Sequence, residues 1–459
     1  MDDVIGMPVR ALAAKVRGGE ISARQVVDAH LAAVEAENPR LNALTVVFAE
    51  RARAAAGETD RLLAAGGDPG PLAGVPFSVK ESIDLTWSAT TQGWRGLADA
   101  VPAADATVVR RMREAGAIPI GRGNMSDFGM RWDTDNDLFG RTLHPIDETR
   151  SVFGSSGGDA VAVATGMSAI GLGNDFGGSI RLPASAVGIA GLRPSFGRVP
   201  RAAVRDVPVA LTLQQFSVNG PLARSVDDLA VALDVLTGID PADPVSLGIA
   251  APDTDAAPRR VAVVRDPLGW GVDDDIRAAV DRAAVALSRA GWEVLDLEPP
   301  MVEEAAVLWR RLACTDMLLT LDPATLPEPL GRSATSFLRD STAAARPFET
   351  ASDYAAAWAR RAVIAAAWRR LQAEVPLILG PVATRRTPEP DFDLGGQDAA
   401  DAAWRDLRLV VAVNFLGLPA VTVPAGVDRD ALPVGVQVIG PLHADELALA
   451  AAAAIESGL

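Results

Sequence analysis

From residue 154 to residue 197 the chain is unusually rich in glycine, serine and alanine, and no other stretch narrows its fold so far. Residues 159–167 read as a helix of small side chains, and residues 169–173 as a buried strand. Glycine pairs stand at Gly157-Gly158 and Gly177-Gly178, where a backbone can turn tightly. Around this centre, helix and strand alternate to the C-terminus. Ser22 caps a helix over residues 23–36, with Val26, Val27, His30, Leu31 and Val34 at helical spacing and Pro39 ending it. A second helix is expected over 44–65, before a Gly/Pro loop. In 75–83, Val75, Phe77 and Val79 point one way and Ser78, Lys80 and Ser82 the other. Helices are further expected at 107–115, 274–290, through most of 300–375 and at 446–455. Strands are expected at 117–121, 260–264, 292–297, 377–380, 420–424 and 433–439. No internal repeat or low-complexity linker interrupts the series. The pattern predicts one α/β domain over residues 1–459 around a large sheet, with an N-terminal helical segment at about 1–65.

Composition excludes several functions. The formal net charge is −16, which disfavours general attraction to phosphate backbones or anionic membranes. No apolar run approaches the roughly 20 residues of a membrane span. The start, Met1-Asp2-Asp3-Val4, lacks the basic and apolar features of a signal peptide. Cys314 is the single cysteine, which fits a reducing compartment. A cytoplasmic protein is expected. The three histidines, His30, His144 and His443, show no metal-ligand spacing, so no metal site is expected.

Lysine occurs only at positions 15 and 80; every other basic side chain of this type is arginine. The two differ in one respect that matters to catalysis, since lysine can lose its proton and arginine effectively cannot. A free lysine is neutral in only about one molecule in 2,500 at pH 7, but burial lowers its pKa by several units. Lys80 follows Val79 in an otherwise apolar strand and is a candidate base. Serine needs such a base to act as a nucleophile. Candidate serines stand in Gly154-Ser155-Ser156-Gly157-Gly158 and in Asp175-Phe176-Gly177-Gly178-Ser179-Ile180-Arg181. The glycines before Ser179 allow a turn whose N–H groups can stabilise an oxyanion.

These motifs together resemble the amidase signature family. Ser179 follows Ser155 by 24 positions, and the segments 191–199, 74–80, 417–420 and 432–440 fit as well. The resemblance covers nearly the whole chain. It implies a mixed sheet of about eleven strands wrapped by helices. It makes Ser179 the nucleophile, Ser155 a relay serine after a cis peptide bond, and Lys80 the base. The backbone N–H groups of Phe176, Gly177, Gly178 and Ser179 become the oxyanion hole. Phe153 and Asn174-Asp175-Phe176 depart from the usual Gly and Thr-Asp-Thr/Ile, and neither change removes a catalytic side chain. Asp175 and Arg181 are expected to pair across the turn.

The resemblance implies hydrolysis of a carbon–nitrogen bond in a small amide, hydrazide or ester-like molecule, with no cofactor, no nucleic acid and no membrane. It leaves room for a homodimer. With its Asp-Thr-Asp-Asn stretch at 133–136 the sequence is similar to actinobacterial-type amidases, and the subtype expected is a bacterial hydrazidase. Expected pocket walls are 125–139, notably Met130 and Trp132, with Phe153, Phe176 and the segment 308–319; their content favours an aromatic or apolar acyl group. Two other readings compete. Gly154-Ser155-Ser156-Gly157-Gly158 also matches a nucleophile elbow with Ser156 attacking, but residues 146–152 make a poor strand and His443 is the only downstream histidine. The family also contains the glutaminase-type subunit of tRNA-dependent amidotransferases, which usually carries Gln where Leu182 stands here.

Overall fold

A sheet covered on both faces serves two layers at once, and the described residues form eleven strands. They are β1 (Leu44–Val47), β2 (Pro76–Lys80), β3 (Ile118–Gly123), β4 (Ile170–Asp175), β5 (Ala190–Arg193) and β6 (Val218–Ala223), then β7 (Arg260–Val263), β8 (Glu293–Leu295), β9 (Leu377–Pro381), β10 (Ala420–Val427) and β11 (Pro433–Ile439). The structure is a computed structural model that describes residues 2–201, 209–250, 257–321 and 326–459. All eleven strands form one mixed sheet, in the order β1-β3-β2-β4-β6-β5-β10-β11-β9-β7-β8. β2 runs parallel to both β3 and β4, with Phe77 opposite Ile170 and Val79 opposite Leu172. The antiparallel centre pairs β10 with β5 and β11.

Each face of the sheet carries a core. Phe77, Val79, Ile170, Leu172, Val436 and Val438 enter the first, under helices that include Ala23–Leu41, Asp274–Arg289 and Asp445–Gly458. Ala262, Ala420 and Ile439 enter the second, with helices that include Gly157–Ala164, Val302–Thr320 and Arg408–Leu416. The period of two therefore sends Ser78 and Lys80 to the second face, opposite Phe77 and Val79.

Two expectations are corrected. Residues 44–47 form an edge strand, antiparallel to β3, and the helix begins only at Ala49. Thr45, Val46 and Val47 are β-branched and suit the sheet. Pro39 does not end the helix that Ser22 caps; it runs Ala23–Leu41 and stops at Asn42, whose φ is 50°. The last turn is kept by Leu41, which is fully buried, and by Asn42 Nδ2, which donates to the carbonyls of Phe139 and Arg141. β5 and β6 carried no strand signal: Ala190-Gly191-Leu192-Arg193 and Val218-Asn219-Gly220-Pro221-Leu222-Ala223 are poor in β-branched and aromatic residues and contain Gly or Pro.

Candidate active site

Strand β2 ends on Lys80 at the second face, where the helix Gly157–Ala164 lies across the sheet. Lys80 is fully buried. Its Nζ is 2.8 Å from Ser155 Oγ, 2.8 Å from Ser156 Oγ and 2.7 Å from Asn174 Oδ1. No carboxylate forms an ion pair with it among the described residues. Burial pulls its pKa down to about 7, against the smaller upward pull of the Asp159 and Asp175 charges. The amine is thus held by three neutral oxygens in a dry site, the condition under which lysine serves as a base.

Ser155 follows a cis peptide bond from Gly154. The turn is braced by Thr134, whose Oγ1 donates to the Phe153 carbonyl at 2.8 Å and accepts from Gly157 N–H at 3.2 Å. Asp133 and Asn136 have similar duties. Asp133 accepts from Ser151 Oγ at 2.6 Å, and Asn136 Nδ2 donates to Met125 O at 2.6 Å. The Asp-Thr-Asp-Asn stretch therefore holds loops together.

Ser179 sits on the turn that leaves β4, with 5% exposure. Its carbonyl accepts from Ser156 N–H at 3.2 Å, which joins the two serine loops. Its Oγ has no hydrogen bond among the described residues. The turn is built on Asp175, whose Oδ1 accepts from Gly178 N–H at 2.9 Å and whose Oδ2 accepts from Ile180 N–H at 3.2 Å. Arg181 Nε donates to Asp175 Oδ2 at 3.0 Å, so the expected pair is present. Burial alone would raise the Asp175 pKa, but Arg181, Arg193 and Asn414 bring it well below the usual carboxylate range. Gly178 adopts φ 98°, a conformation that glycine tolerates.

This arrangement narrows the expected oxyanion hole. The Gly178 N–H is engaged by Asp175 and is not free for a ligand. The N–H groups of Phe176, Gly177 and Ser179 have no partner among the described residues.

The expected walls divide. Phe176 and Met130 are half-buried, and Phe176 packs against Trp309 with ring centroids 5.0 Å apart. Trp132 is buried behind the turn, with Trp404 at 4.6 Å and its Nε1 donating to Gly177 O at 2.9 Å. Phe153 lies elsewhere: it packs edge-to-face on Phe392 and lines a small cleft with Ser185, Ala383 and Thr387. Ser156 precedes the helix Gly157–Ala164 and no strand precedes it, so the elbow lacks its context. His443 lies at the Ser195–Asp445 network instead. Burial raises the Cys314 thiol to about 12 and removes it as a nucleophile.

Sequence reasoning passed over two partners of Lys80. Asn174 was visible only as a departure from the family pattern, yet it links Lys80 to Ser82, to which its Nδ2 donates at 2.6 Å. Asp159 sits beneath, accepting from Ser78 Oγ at 2.7 Å, and burial pushes its carboxyl up to about 7. It fits because Gly123 and Gly171 have no side chains; a Cβ on Gly123 would stand 2.2 Å from Asp159 Oδ2. Among the described residues no cluster suits a metal ion, and no helix is long and apolar enough to cross a membrane.

The family model Amidase matches residues 25–449. An indoleacetamide hydrolase of Bradyrhizobium diazoefficiens is 36% identical over 451 residues, 97% of this chain and 85% of that protein. One of the subunits of the glutamyl-tRNA(Gln) amidotransferase of Halorhodospira halophila is 35% identical over 461 residues, covering 94% of this chain and 93% of that one. A solved 6-aminohexanoate cyclic dimer hydrolase in complex with its substrate superposes with a TM-score of 0.85 at 29% identity, covering 100% of this chain and 98% of that one. With the family's motifs joined in one buried site on an eleven-stranded sheet, the chain belongs to the amidase signature family, hydrolases of carbon–nitrogen bonds.

Proposed function

We propose that this protein hydrolyses a small amide or hydrazide with an aryl or other apolar acyl group, and the corresponding esters, through an acyl-enzyme on Ser179. One observation carries the reading: a buried lysine with no ion-pair partner among the described residues, in contact with Ser155 and Ser156 and with its pKa brought to about 7. In the reaction, Ser179 Oγ attacks the carbonyl carbon. Its proton passes to Ser155 Oγ as the Ser155 proton passes to Lys80 Nζ. The oxyanion is met by the N–H groups of Phe176, Gly177 and Ser179. The proton on Lys80 returns through Ser155 to the leaving nitrogen, and the C–N bond breaks. Water then attacks the acyl-Ser179 ester by the same relay and releases the carboxylic acid.

The apolar preference follows from Phe176 and Trp309 at the turn, with the half-buried Met130 packed on the same core. Charged groups of the neighbouring loop are already committed, with Arg131 Nη2 donating to Asp393 at 2.7 Å and Asp391 at 2.9 Å. The indoleacetamide hydrolase supports an aryl-bearing amide. The amidotransferase relative supports a second reading, a glutaminase component of a larger assembly; Leu182, buried where that protein usually carries Gln, speaks against it. Purified protein assayed on aryl amides, alkyl amides, hydrazides, esters and glutamine decides between them. The highest kcat/KM is expected for an aryl-bearing amide or hydrazide. Glutamine as the best substrate would replace the first reading with the second.

A further inference from the structure

Three N–H groups of the turn after β4 have no partner among the described residues, and each belongs to a peptide whose carbonyl is gripped. A trans peptide points its C=O and N–H in opposite directions, so a donor that fixes the carbonyl aims the N–H. The Asp175 carbonyl accepts from Arg193 Nη1 at 2.7 Å and Asn414 Nδ2 at 3.2 Å, which sets the Phe176 N–H. The Gly178 carbonyl accepts from Leu182 N–H at 2.8 Å, which sets the Ser179 N–H. Between these anchors neither strand nor helix supports the chain. There the donors are two indoles. Trp309 Nε1 donates to the Phe176 carbonyl at 3.1 Å, and Trp132 Nε1 donates to the Gly177 carbonyl at 2.9 Å.

We infer that Trp309 and Trp132 are positioning residues of the oxyanion hole, their indole N–H groups holding the two peptides that flank Gly177 so that its N–H faces the attacked carbonyl. The inference rests on the proposed role of Ser179 and deepens it. Trp309 acts on the peptide that carries the Gly177 N–H. Trp132 locks the next peptide, whose own N–H is already tied to Asp175. A hydrogen bond to a peptide carbonyl also polarises that peptide and strengthens its N–H as a donor. The fit is close, since a Cβ on Gly177 would lie 2.8 Å from the Trp309 ring. Aromatic packing alone does not require these bonds. Trp404 belongs to the same cluster, 5.0 Å from Trp309, and its buried indole nitrogen has no hydrogen-bond partner among the described residues.

Phenylalanine keeps a ring and removes the donor, so Trp309→Phe, Trp132→Phe and Trp404→Phe form a matched set. The readout is the second-order rate at which a small alkyl fluorophosphonate labels Ser179, located by mass spectrometry. The serine oxygen displaces fluoride at phosphorus, and the phosphoryl oxygen takes the oxyanion's place, so no knowledge of the natural substrate is needed. Deleting a direct oxyanion donor costs about 10²–10³ in rate. Loss of an orienting donor should cost less, about 10-fold for Trp309→Phe and Trp132→Phe, and in Trp132→Phe, which is buried behind the turn, KM for the best amide should stay unchanged while kcat falls. Trp404→Phe should stay close to wild type. Wild-type labelling rates in both donor variants would overturn the inference. So would an equal slowing in Trp404→Phe, which would trace the effect to packing. If Trp309→Phe does not fold, as judged by thermal melting, Trp132→Phe decides alone. Absence of labelling at Ser179 in the wild type would instead refute the nucleophile assignment, and this inference would fall with it.

Discussion

Lys80→Arg and Lys80→Ala test one nitrogen in opposite ways. Arginine keeps the charge but cannot be neutral near working pH, so kcat should fall by about 10²–10⁴, the usual worth of a general base, while Lys15→Arg behaves like wild type. Alanine removes the buried ammonium. Because the folded pKa is about 7 against 10.5 when unfolded, the unfolded chain binds the proton more tightly. Lys80 therefore opposes folding fully below pH 7, progressively less from 7 to 10.5, and not above. At pH 7, Lys80→Ala should be inactive with a thermal midpoint no lower than wild type. Wild-type kcat/KM should rise with pH through about 7. The Asp159 charge raises the Lys80 pKa, so Asp159→Asn should move that limb to lower pH; a pH–rate profile shifted upward would refute the coupling. Among the serines, Ser179→Ala should lower kcat by at least about 10³, with fold intact by circular dichroism. Ser155 and Ser156 lie equally close to Lys80, at 2.8 Å each. Kinetics of Ser155→Ala and Ser156→Ala must separate them, with the larger loss expected at Ser155.

Two elements meet at this site through missing side chains. The helix Gly157–Ala164 lies close to the sheet, and its Asp159 fills the space over Gly123 of β3 and Gly171 of β4. Gly123→Ala would place a methyl 2.2 Å from the Asp159 carboxylate, inside contact distance. The helix must then shift, at an expected cost of about 1–3 kcal/mol. Lys80 would lose its spacing to Ser155, so kcat should fall together with the denaturation midpoint. Urea unfolding and steady-state kinetics on the same preparation check both. Unchanged activity would mean that the helix can retreat without moving Ser155.

At the scale of the molecule, the sheet separates the catalytic face from the first core, and His30 ties a helix of that first core to the chain just after the helix Gly157–Ala164. It lies in the helix Ala23–Leu41, and its Nδ1 is hydrogen-bonded to Gly166 O at 2.8 Å, just past the helix that carries Asp159. Burial, with a smaller push from Arg224, lowers its pKa to about 4 from 6.5. The unfolded chain then takes up the proton first, so this contribution to stability is complete above pH 6.5 and is lost as pH falls towards 4. His30→Asn, which does not titrate there, should flatten the dependence of the thermal midpoint on pH in that window. Parallel curves for wild type and variant would show that the acid sensitivity lies elsewhere.

Sequence alone was enough for the α/β class, because alternating periods of two and 3.6 residues record which faces are buried. It also singled out Lys80, Ser155 and Ser179 as candidates, because lysine is nearly absent elsewhere and the glycine-flanked serines have a characteristic spacing, and the fold sets Lys80 against Ser155. It failed at Leu44–Val47, where four residues carry too short a pattern to outweigh the helix that follows, and at β5 and β6, whose Gly and Pro and scarcity of β-branched and aromatic residues hide the strands. Asn174, Trp309 and Trp132 could not be assigned to Lys80 and the serine turn from the chain. Each reaches its partner across 45 to 133 positions, or 94 for Asn174 and Lys80. A hydrogen bond is made between atoms about 3 Å apart in space, and only the folded sheet, with its crossing helix and aromatic layer, decides which distant atoms those are.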